Sequence, residues 1–321
     1  MINEQEIDRP DDQSEELFDT PTGHRSGFVA LVGRPNVGKS TLMNAFMQQK
    51  IAAVTPRPQT TRTRQLGIIT EPEYQMIFID TPGIIQKPRH DLDRFMVETA
   101  LETLEDADVV LWLLDISEHP GSIDREIGER LASIDAGEKT ILALNKIDLL
   151  PVQDLLPRTE AFTSLLSDAD WIHVSALNNI GVEELLEQLV ASLPEGPRYY
   201  PPDQITDVFV RHIAAELIRE QLMLQLRDEV PYGTAVQVRE FKERENGVVF
   251  IGADIYVESQ SHKSIVIGKG GSQLKQLGAA AREQIEKLVD SKVFLELWVK
   301  VEPNWRRSER LLKQFGYKSA E

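Results

Sequence analysis

The run from Gly33 to Ser40, Gly-Arg-Pro-Asn-Val-Gly-Lys-Ser, constrains this chain more than any other feature. It has two glycines separated by four residues and followed by Lys and Ser, which is the phosphate-loop pattern. An apolar run at 28–32 predicts a strand before it, and residues 41–46 predict a helix after it. Such a turn directs backbone N–H groups and the positive end of the helix dipole at one point, which suits a polyphosphate. The residues that we expect to hold the phosphates are Gly33, Arg34, Pro35, Asn36, Val37, Gly38, Lys39 and Ser40.

Three later segments, each after an apolar strand, identify the base. Asp80 opens the first and suits Mg²⁺, and a glycine three residues later lets the backbone move toward a γ-phosphate. Asp148 closes the second and can accept hydrogen bonds from guanine N1–H and the exocyclic amine. Adenine lacks both donors and would leave the carboxylate unpaired, at a cost of about 1–3 kcal/mol. A backbone N–H of the third segment can donate to guanine O6. The nucleotide-binding residues predicted here are Asp80, Thr81, Pro82, Gly83, Ile84, Asn145, Lys146, Ile147, Asp148, Ser175, Ala176 and Leu177.

These four segments resemble the G1, G3, G4 and G5 boxes of translation-factor-type GTPases, and Pro58 to Arg62 matches the G2 box. From residue 26 to about 317 the sequence resembles the Era family of bacterial GTPases. The resemblance implies an α/β P-loop GTPase domain with a mostly parallel sheet, followed by an α+β type II KH domain. It also implies GTP/GDP and Mg²⁺ as cofactors. The residues implied to ligate magnesium are Ser40, Asp80 and, when GTP is bound, Thr61, and those implied to carry hydrolysis are Lys39, Thr61 and Gly83.

The water-positioning glutamine that many GTPases use is missing from the expected place. Ile84 and Ile85 follow Gly83 there, so we expect slow intrinsic hydrolysis. Gln86 lies two residues too late to be a strong candidate. Asn36 matches the position that helps hold a potassium ion in related GTPases, and such an ion would supply the missing positive charge.

Composition predicts two domains and a reducing compartment. The 321 residues exceed the usual size of one domain, and the chain has no Cys for disulfides or thiolate metal sites. Residues 1–26 carry two basic and eight acidic side chains, residues 27–202 carry 15 and 26, and residues 203–321 carry 18 of each, for a net charge of −17. The sequence has no run of 18 apolar residues, and its acidic start is unlike a signal peptide.

The domain boundaries follow from changes in composition along the chain. Residues 1–25 are polar and acidic, and we predict a disordered extension. The GTPase-type domain covers 26–194. Four prolines in nine residues predict a semi-rigid linker at 195–206, with its tyrosines packed between the domains. The second domain covers 207–303, and a C-terminal helix and tail cover 304–321.

The second domain is predicted to contain a helix at 207–227, strands at 234–240 and 248–258, two helices around Gly268–Gly271, and a strand at 293–301. This order is similar to the type II KH fold. The G-x-x-G loop of KH domains clamps a single-stranded nucleic acid backbone, because the glycines permit close approach. The predicted RNA-binding residues are Ile265, Ile267, Gly268, Lys269, Gly270, Gly271 and Lys275. The alternating aromatic and basic residues at 305–313 fit either a solvated helix end or an RNA contact.

The leading hypothesis is a GTP-hydrolysing switch that binds 16S ribosomal RNA near its 3′ end and assists 30S subunit assembly. The RNA and the 30S subunit are implied by the family resemblance alone. So are a cytoplasmic monomer and a peripheral fraction at the inner membrane face, which the neutral C-terminal part makes a weaker expectation. The alternative is a GTP-dependent protein-interaction switch whose KH-like domain does not bind RNA. A metabolic phosphotransferase is disfavoured, because no acceptor-site residues are evident and the guanine boxes are complete.

Overall fold

The structure is a computed structural model. It describes residues 20–55, 57, 60–63, 65–80, 82, 91–93, 96, 104, 107–244 and 247–317. The predicted disordered extension therefore lies mostly outside the described residues and stays a prediction. Packing begins slightly before the expected boundary at residue 26, because His24 is buried and its Nδ1 lies 2.9 Å from the Gly196 carbonyl oxygen.

The first domain contains a six-stranded sheet in the order β2-β3-β1-β4-β5-β6, in which only β2 runs antiparallel to its neighbour. The mostly parallel sheet predicted from the sequence is therefore confirmed. The strands are β1 (Arg25–Val32), β2 (Gln65–Thr70), β3 (Tyr74–Asp80), β4 (Val109–Asp115), β5 (Thr140–Asn145) and β6 (Asp170–His173). The described helices are α1 (Lys39–Met47), α2 (Ser122–Ser133), α3 (Leu155–Thr163) and α4 (Val182–Ser192).

Both faces of this sheet are covered, which explains its sequence. Every residue of β4 and β5 is buried, as expected for central parallel strands packed between two layers of helices. Along β4, Leu111 and Leu113 join one apolar cluster with α1 and α4, while Trp112 joins another with α2 and α3. Because these strands are parallel, their carboxyl ends, and the segments that follow them, lie along one edge of the sheet.

The linker packs on the first domain rather than between the domains, so the predicted position of its tyrosines is wrong. The Tyr199 ring lies 5.4 Å from the Phe28 ring, and the Tyr199 and Tyr200 amides both donate to Gln75 Oε1. The Ile68 amide, on edge strand β2, donates to the Ile205 carbonyl oxygen at 2.9 Å. The linker thus satisfies polar groups of the sheet edge, which fixes its path.

The second domain has the predicted α-β-β-α-α-β order around a three-stranded sheet, β7-β8-β9, with β7–β8 antiparallel and β8–β9 parallel. The first helix is shorter at both ends than predicted, and the first strand continues three residues further. The elements are α5 (Val210–Gln225), β7 (Ala235–Glu243), β8 (Val249–Val257), α6 (Gln260–Ile267), α7 (Ser272–Val289), β9 (Val293–Val301) and α8 (Glu309–Gln314).

The C-terminal segment, for which the sequence left a solvated helix end or an RNA contact open, contributes its aromatic and apolar side chains to a core. Trp305 is fully buried, its Nε1–H donates to the Gly233 carbonyl oxygen at 2.9 Å, and its ring packs against Phe315 and Tyr317. Leu312, on α8, is buried in the same cluster. The aromatic and apolar members of this segment are therefore structural, and only its exposed basic side chains could meet RNA.

Candidate nucleotide-binding site and nucleic-acid interface

The described residues form a cavity of about 370 Å³ at the carboxyl ends of the central strands of the first domain. It draws residues from the phosphate loop, the G2 segment, the Asn145–Asp148 segment and the Ser175–Leu177 segment, as the sequence predicted. The residues lining the cavity are Pro35, Asn36, Gly38, Lys39, Ser40, Thr41, Ala53, Val54, Thr55, Thr60, Thr61, Asn145, Lys146, Asp148, Leu149, Ser175, Ala176 and Leu177.

Backbone geometry explains the two glycines of the phosphate loop. Gly33 and Gly38 have φ of +145° and +107°, which side chains rarely allow. A Cβ at Gly33 would lie 2.4 Å from the Leu113 carbonyl oxygen, and one at Gly38 would lie 2.4 Å from Asn145 Nδ2. Lys39, the first residue of α1, folds back so that Nζ donates to the Gly33 carbonyl oxygen at 3.0 Å. Backbone carbonyl groups of the loop, those of Gly33 and Arg34, thus surround the Lys39 ammonium group.

The environment of Lys39 predicts that nucleotide affinity depends on pH. Burial lowers the pKa of the Lys39 ammonium to about 8, and the nearby Asp80 carboxylate opposes this shift. Bound phosphates favour the charged form and would raise the pKa again. Above pH 8 we therefore expect GDP binding to take up a proton, and affinity to fall up to about tenfold per pH unit. Calorimetry in two buffers of different ionisation heat checks this, and an absence of proton uptake near pH 8.5 would contradict it.

Three oxygen-bearing side chains meet where the sequence places magnesium. Ser40 Oγ lies 2.9 Å from Thr61 Oγ1 and from Asp80 Oδ2, and Thr61 Oγ1 lies 3.2 Å from Asp80 Oδ2. Asp80 is fully buried, and its Oδ1 has no hydrogen-bond partner among the described residues. Burial raises the pKa of this carboxyl, although Lys39, Ser40 and Thr61 favour its charged form. A hard divalent cation fits this donor set, since it would compensate a buried carboxylate.

The guanine end of the cavity is organised by Asn145. Its Nδ2 donates to the Val37 carbonyl oxygen at 2.7 Å, and its Oδ1 accepts from the Ala176 amide at 3.0 Å. One side chain therefore ties the phosphate loop to two other boxes. In the Ser175–Leu177 segment, the Ser175 amide donates to the Ile180 carbonyl oxygen and the Ala176 amide donates to Asn145. The N–H that remains for guanine O6 is therefore that of Leu177.

The side chains of Arg34, Val37 and Ile147 do not line the cavity, although all three residues were predicted to bind nucleotide. Val37 is buried in the core. The Arg34 guanidinium lies 2.8 Å from Glu118 and within reach of Asp115 and Asp124, at 3.9 and 3.8 Å. Lys146 lines the cavity while its Nζ binds Asp115 Oδ2 at 2.6 Å. The sequence pattern did not identify Asp115 or the exposed, cavity-lining Leu149 as site residues. Asp115 ends an apolar strand, as Asp80 does, so the same signal was present.

Four of the predicted residues, Thr81 to Ile84, directly follow β3. Thr81, Gly83 and Ile84 lie outside the described residues, so their predicted roles remain predictions, as does the argument from Ile85 and Gln86. Pro82 is described and buried but does not line the cavity.

The G-x-x-G loop joins α6 and α7 in an exposed turn. Gly268 has φ +72°, and a Cβ there would lie 2.6 Å from Gln273 Cβ, so this glycine is required for the turn to pack. Gly270 and Gly271 also have positive φ, but a Cβ at either would meet nothing within 4 Å. The space beside them is therefore open to a ligand.

The side chains around this loop divide into a buried and an exposed set. Lys269 and Lys275 are exposed, and Ile265 is about half exposed at 49%. Val266 is fully buried, and Ile267 is partly buried against the domain core. The apolar surface beside the loop is therefore formed by Ile265 with a part of Ile267.

Comparison with known proteins gives two family models on this chain. The model described as 50S ribosome-binding GTPase matches residues 28–146, and the model described as KH domain matches residues 229–306. The chain is also 47% identical over 296 residues to the GTPase Era of Ruminiclostridium cellulolyticum, covering 92% of this chain and 98% of that protein. It is 45% identical over 295 residues to the GTPase Era of Halothermothrix orenii, with 92% and 99% covered.

Two solved structures are similar over most of the chain. One is described as Era in complex with MgGDPNP and nucleotides 1506–1542 of 16S ribosomal RNA, with a TM-score of 0.87, 39% identity, and 92% and 99% of the two chains covered. The other is a variant of Aquifex aeolicus Era bound to GDP and aluminium fluoride, with a TM-score of 0.86, 38% identity, and 91% and 99% covered. With the two domains and the guanine boxes in place, the chain belongs to the Era family of GTPases.

Proposed function

We propose that the chain binds GTP through the cavity of the first domain and hydrolyses it slowly to GDP and phosphate. The observation that carries this proposal is the convergence of the phosphate loop, the G2 segment, the Asn145–Asp148 segment and the Ser175–Leu177 segment on one cavity, with a carboxylate at the guanine end and hydroxyls at the other. Ser40, Thr61 and Asp80 are proposed to hold Mg²⁺, whose chemistry when bound is to neutralise charge on the phosphate oxygens. Lys39 would bind the outer phosphates, and the Leu177 N–H would donate to guanine O6.

The second domain is proposed to bind 16S ribosomal RNA near its 3′ end and thereby to assist 30S subunit assembly. Support comes from the open space beside Gly270 and Gly271, the exposed Lys269, and the similar Era structure that contains such an RNA. The alternative, a domain that contacts only protein, would need no such space for a sugar-phosphate backbone.

The experiment that tests this function measures phosphate release by the full chain with Mg²⁺ and either GTP or ATP. We expect release from GTP alone. In parallel, a fluorescent single-stranded RNA with the sequence of the 16S 3′ end should bind the chain more tightly than a scrambled RNA of equal length. Hydrolysis without selective RNA binding would favour the protein-interaction alternative.

Potassium is a further part of the proposal. Asn36 lines the cavity and belongs to the phosphate loop, where its backbone has a positive φ of +66°. A monovalent cation held there would add positive charge beside the phosphates, which stabilises a transition state in which charge develops on them. Replacing K⁺ by Na⁺ should lower the hydrolysis rate at least about fivefold. Asn36→Ala should remove the difference and the exposed Asn304→Ala should keep it, whereas equal rates of the parent in both salts would refute the proposal.

On the basis of the family resemblance, we propose that the protein is cytoplasmic, with a peripheral fraction at the inner face of the membrane. Among the residues that the structure describes, no helix is long and apolar enough to cross a bilayer. Residues 203–321 carry 18 acidic and 18 basic side chains, so binding to vesicles with anionic lipids should be weak.

A further inference from the structure

The segment between α1 and β2 has two faces, one toward each domain. We call its described residues, 50–55, 57 and 60–63, the bridging segment. On one side Ala53, Val54 and Thr55, and later Thr60 and Thr61, line the nucleotide cavity. On the other side the same segment is bonded to the second domain near both of its ends. The contacts with the second domain therefore constrain the residues that line the nucleotide cavity.

The start of the bridging segment is held by Glu220, a buried residue of α5. Glu220 Oε1 lies 2.6 Å from Lys50 Nζ, and Glu220 Oε2 accepts from the Val54 amide at 2.9 Å. Lys50 Nζ also donates to Gln284 Oε1, on α7, at 2.7 Å. Hydrogen bonds that involve charged groups are shorter and stronger than neutral ones, especially away from water. Two helices of the second domain thus hold the segment next to the residues that line the nucleotide cavity.

The end of the bridging segment is held by Arg62, whose side chain is almost completely buried in the second domain. Its Nη1 donates to the Thr234 carbonyl oxygen at 2.7 Å, and its Nη2 donates to the Tyr232 carbonyl oxygen at 2.9 Å. The guanidinium also lies over the rings of Trp305 and Tyr317, at 5.7 and 5.8 Å from their centroids. Burial lowers the pKa of Arg62, which reflects the cost of removing this cation from water. Docking of the two domains provides the carbonyls and rings that offset this cost.

We propose that Arg62 is a positioning residue for GTP hydrolysis, and that the second domain, through Arg62 and Glu220, holds Thr61 where it can serve the Mg²⁺–GTP site. This inference rests on the proposed function. Thr61 and Arg62 are neighbours, and adjacent Cα atoms lie about 3.8 Å apart. The main chain of Thr61, whose Oγ1 contacts Ser40 and Asp80, therefore cannot move far from those two residues without straining the Arg62 bonds. By linkage, GTP binding and docking of the second domain stabilise each other.

A purely structural interface would behave differently. If Arg62 and Glu220 only stabilised the docked domains, their loss would lower the melting temperature and affect GDP and GTP equally. A positioning role concerns the state in which Thr61 is used, and the family resemblance implies this state only with GTP bound. The ratio of affinities for a GTP analogue and for GDP therefore separates the two roles.

The experiment uses the full chain with Arg62→Lys, Glu220→Gln and Tyr317→Phe. Lysine keeps the charge but cannot donate to two carbonyls from one planar group. We expect the ratio of affinities for a non-hydrolysable GTP analogue and GDP to fall about tenfold in Arg62→Lys and about fivefold in Glu220→Gln. In Arg62→Lys, kcat should fall as well, while GDP affinity stays within about twofold of the parent. Tyr317→Phe removes a hydroxyl 3.4 Å from Arg62 Nη1 and should shift the ratio in the same direction, by less.

Two matched controls make changes of the same chemistry at exposed sites. Arg310→Lys alters an arginine whose hydrogen bond to Gln314 stays within α8, and Glu283→Gln alters a carboxylate paired with Lys287 within α7. Neither should change the ratio. If Arg62→Lys does not fold, Glu220→Gln and Tyr317→Phe decide. An unchanged ratio in the folded variants, or equal losses for both nucleotides, overturns the proposal. Failure of the parent to bind either nucleotide would instead refute the proposed function.

Discussion

Lys269→Asp combined with Gly270→Asp is expected to weaken binding of single-stranded RNA by the full chain at least about 100-fold, while GTP affinity stays within about twofold. The change at Gly270 fills the open space beside the backbone, where a Cβ meets no protein atom within 4 Å. Both changes place negative charge against phosphates, and the first also removes an exposed cation. The nucleotide cavity lies in the other domain, and the second-domain residues that hold the bridging segment are Glu220, Gln284, Tyr232 and Thr234, so the cavity should not respond.

The same geometry argues that the double variant will fold. Gly270 has φ +60°, a left-handed conformation that Asp tolerates better than most residues. Gly268, in contrast, packs against Gln273 and must remain glycine. Lys242→Asp with Gly247→Asp is the matched control, since Gly247 also has positive φ and open space and lies between β7 and β8. RNA affinity is measured by fluorescence anisotropy. Equal RNA affinity of the parent and the folded double variant would favour the protein-interaction hypothesis.

Most of the fold could be predicted because its signals are local. Unbroken apolar strands, the glycine pattern of the phosphate loop and the short polar segments after each strand are readable without knowing which parts meet in space. Parallel strands then bring their carboxyl ends to one edge, which explains why Asp148 and Leu177 line the same cavity as Lys39.

What could not be predicted depends on contacts between distant parts of the chain. Asn145 lines the cavity, and the partners of its side chain, Val37 and Ala176, are brought together only by the folded sheet. Arg62 belongs to a recognisable motif, yet nothing near it in sequence indicates that its partners are Tyr232 and Thr234. Hydrogen bonds of this kind carry no periodicity, so a pattern cannot reveal them.

Asp148→Asn tests base selection in the first domain. Asp148 lines the cavity from the middle of a short turn, Ile147–Leu149, and Lys146 and Leu149 line it as well. Its carboxylate can accept from the two donors on the guanine edge, whereas an amide presents its NH₂ to one of them. A donor facing a donor leaves both groups unpaired, which costs more than the loss of one favourable bond.

We therefore expect Asp148→Asn to lose GTP affinity by at least about 100-fold and to gain affinity for xanthosine triphosphate. Xanthine carries an oxygen where guanine has its exocyclic amine, so it can accept from the new amide. Asp154→Asn is the control, because Asp154 is partly exposed, does not line the cavity, and lies in the turn just before α3. Both affinities are measured by competition with a fluorescent nucleotide at the same Mg²⁺ concentration. If Asp148→Asn bound GTP as well as the parent does, Asp148 would not read the base, and another group at the Leu149–Leu177 end of the cavity would have to select guanine.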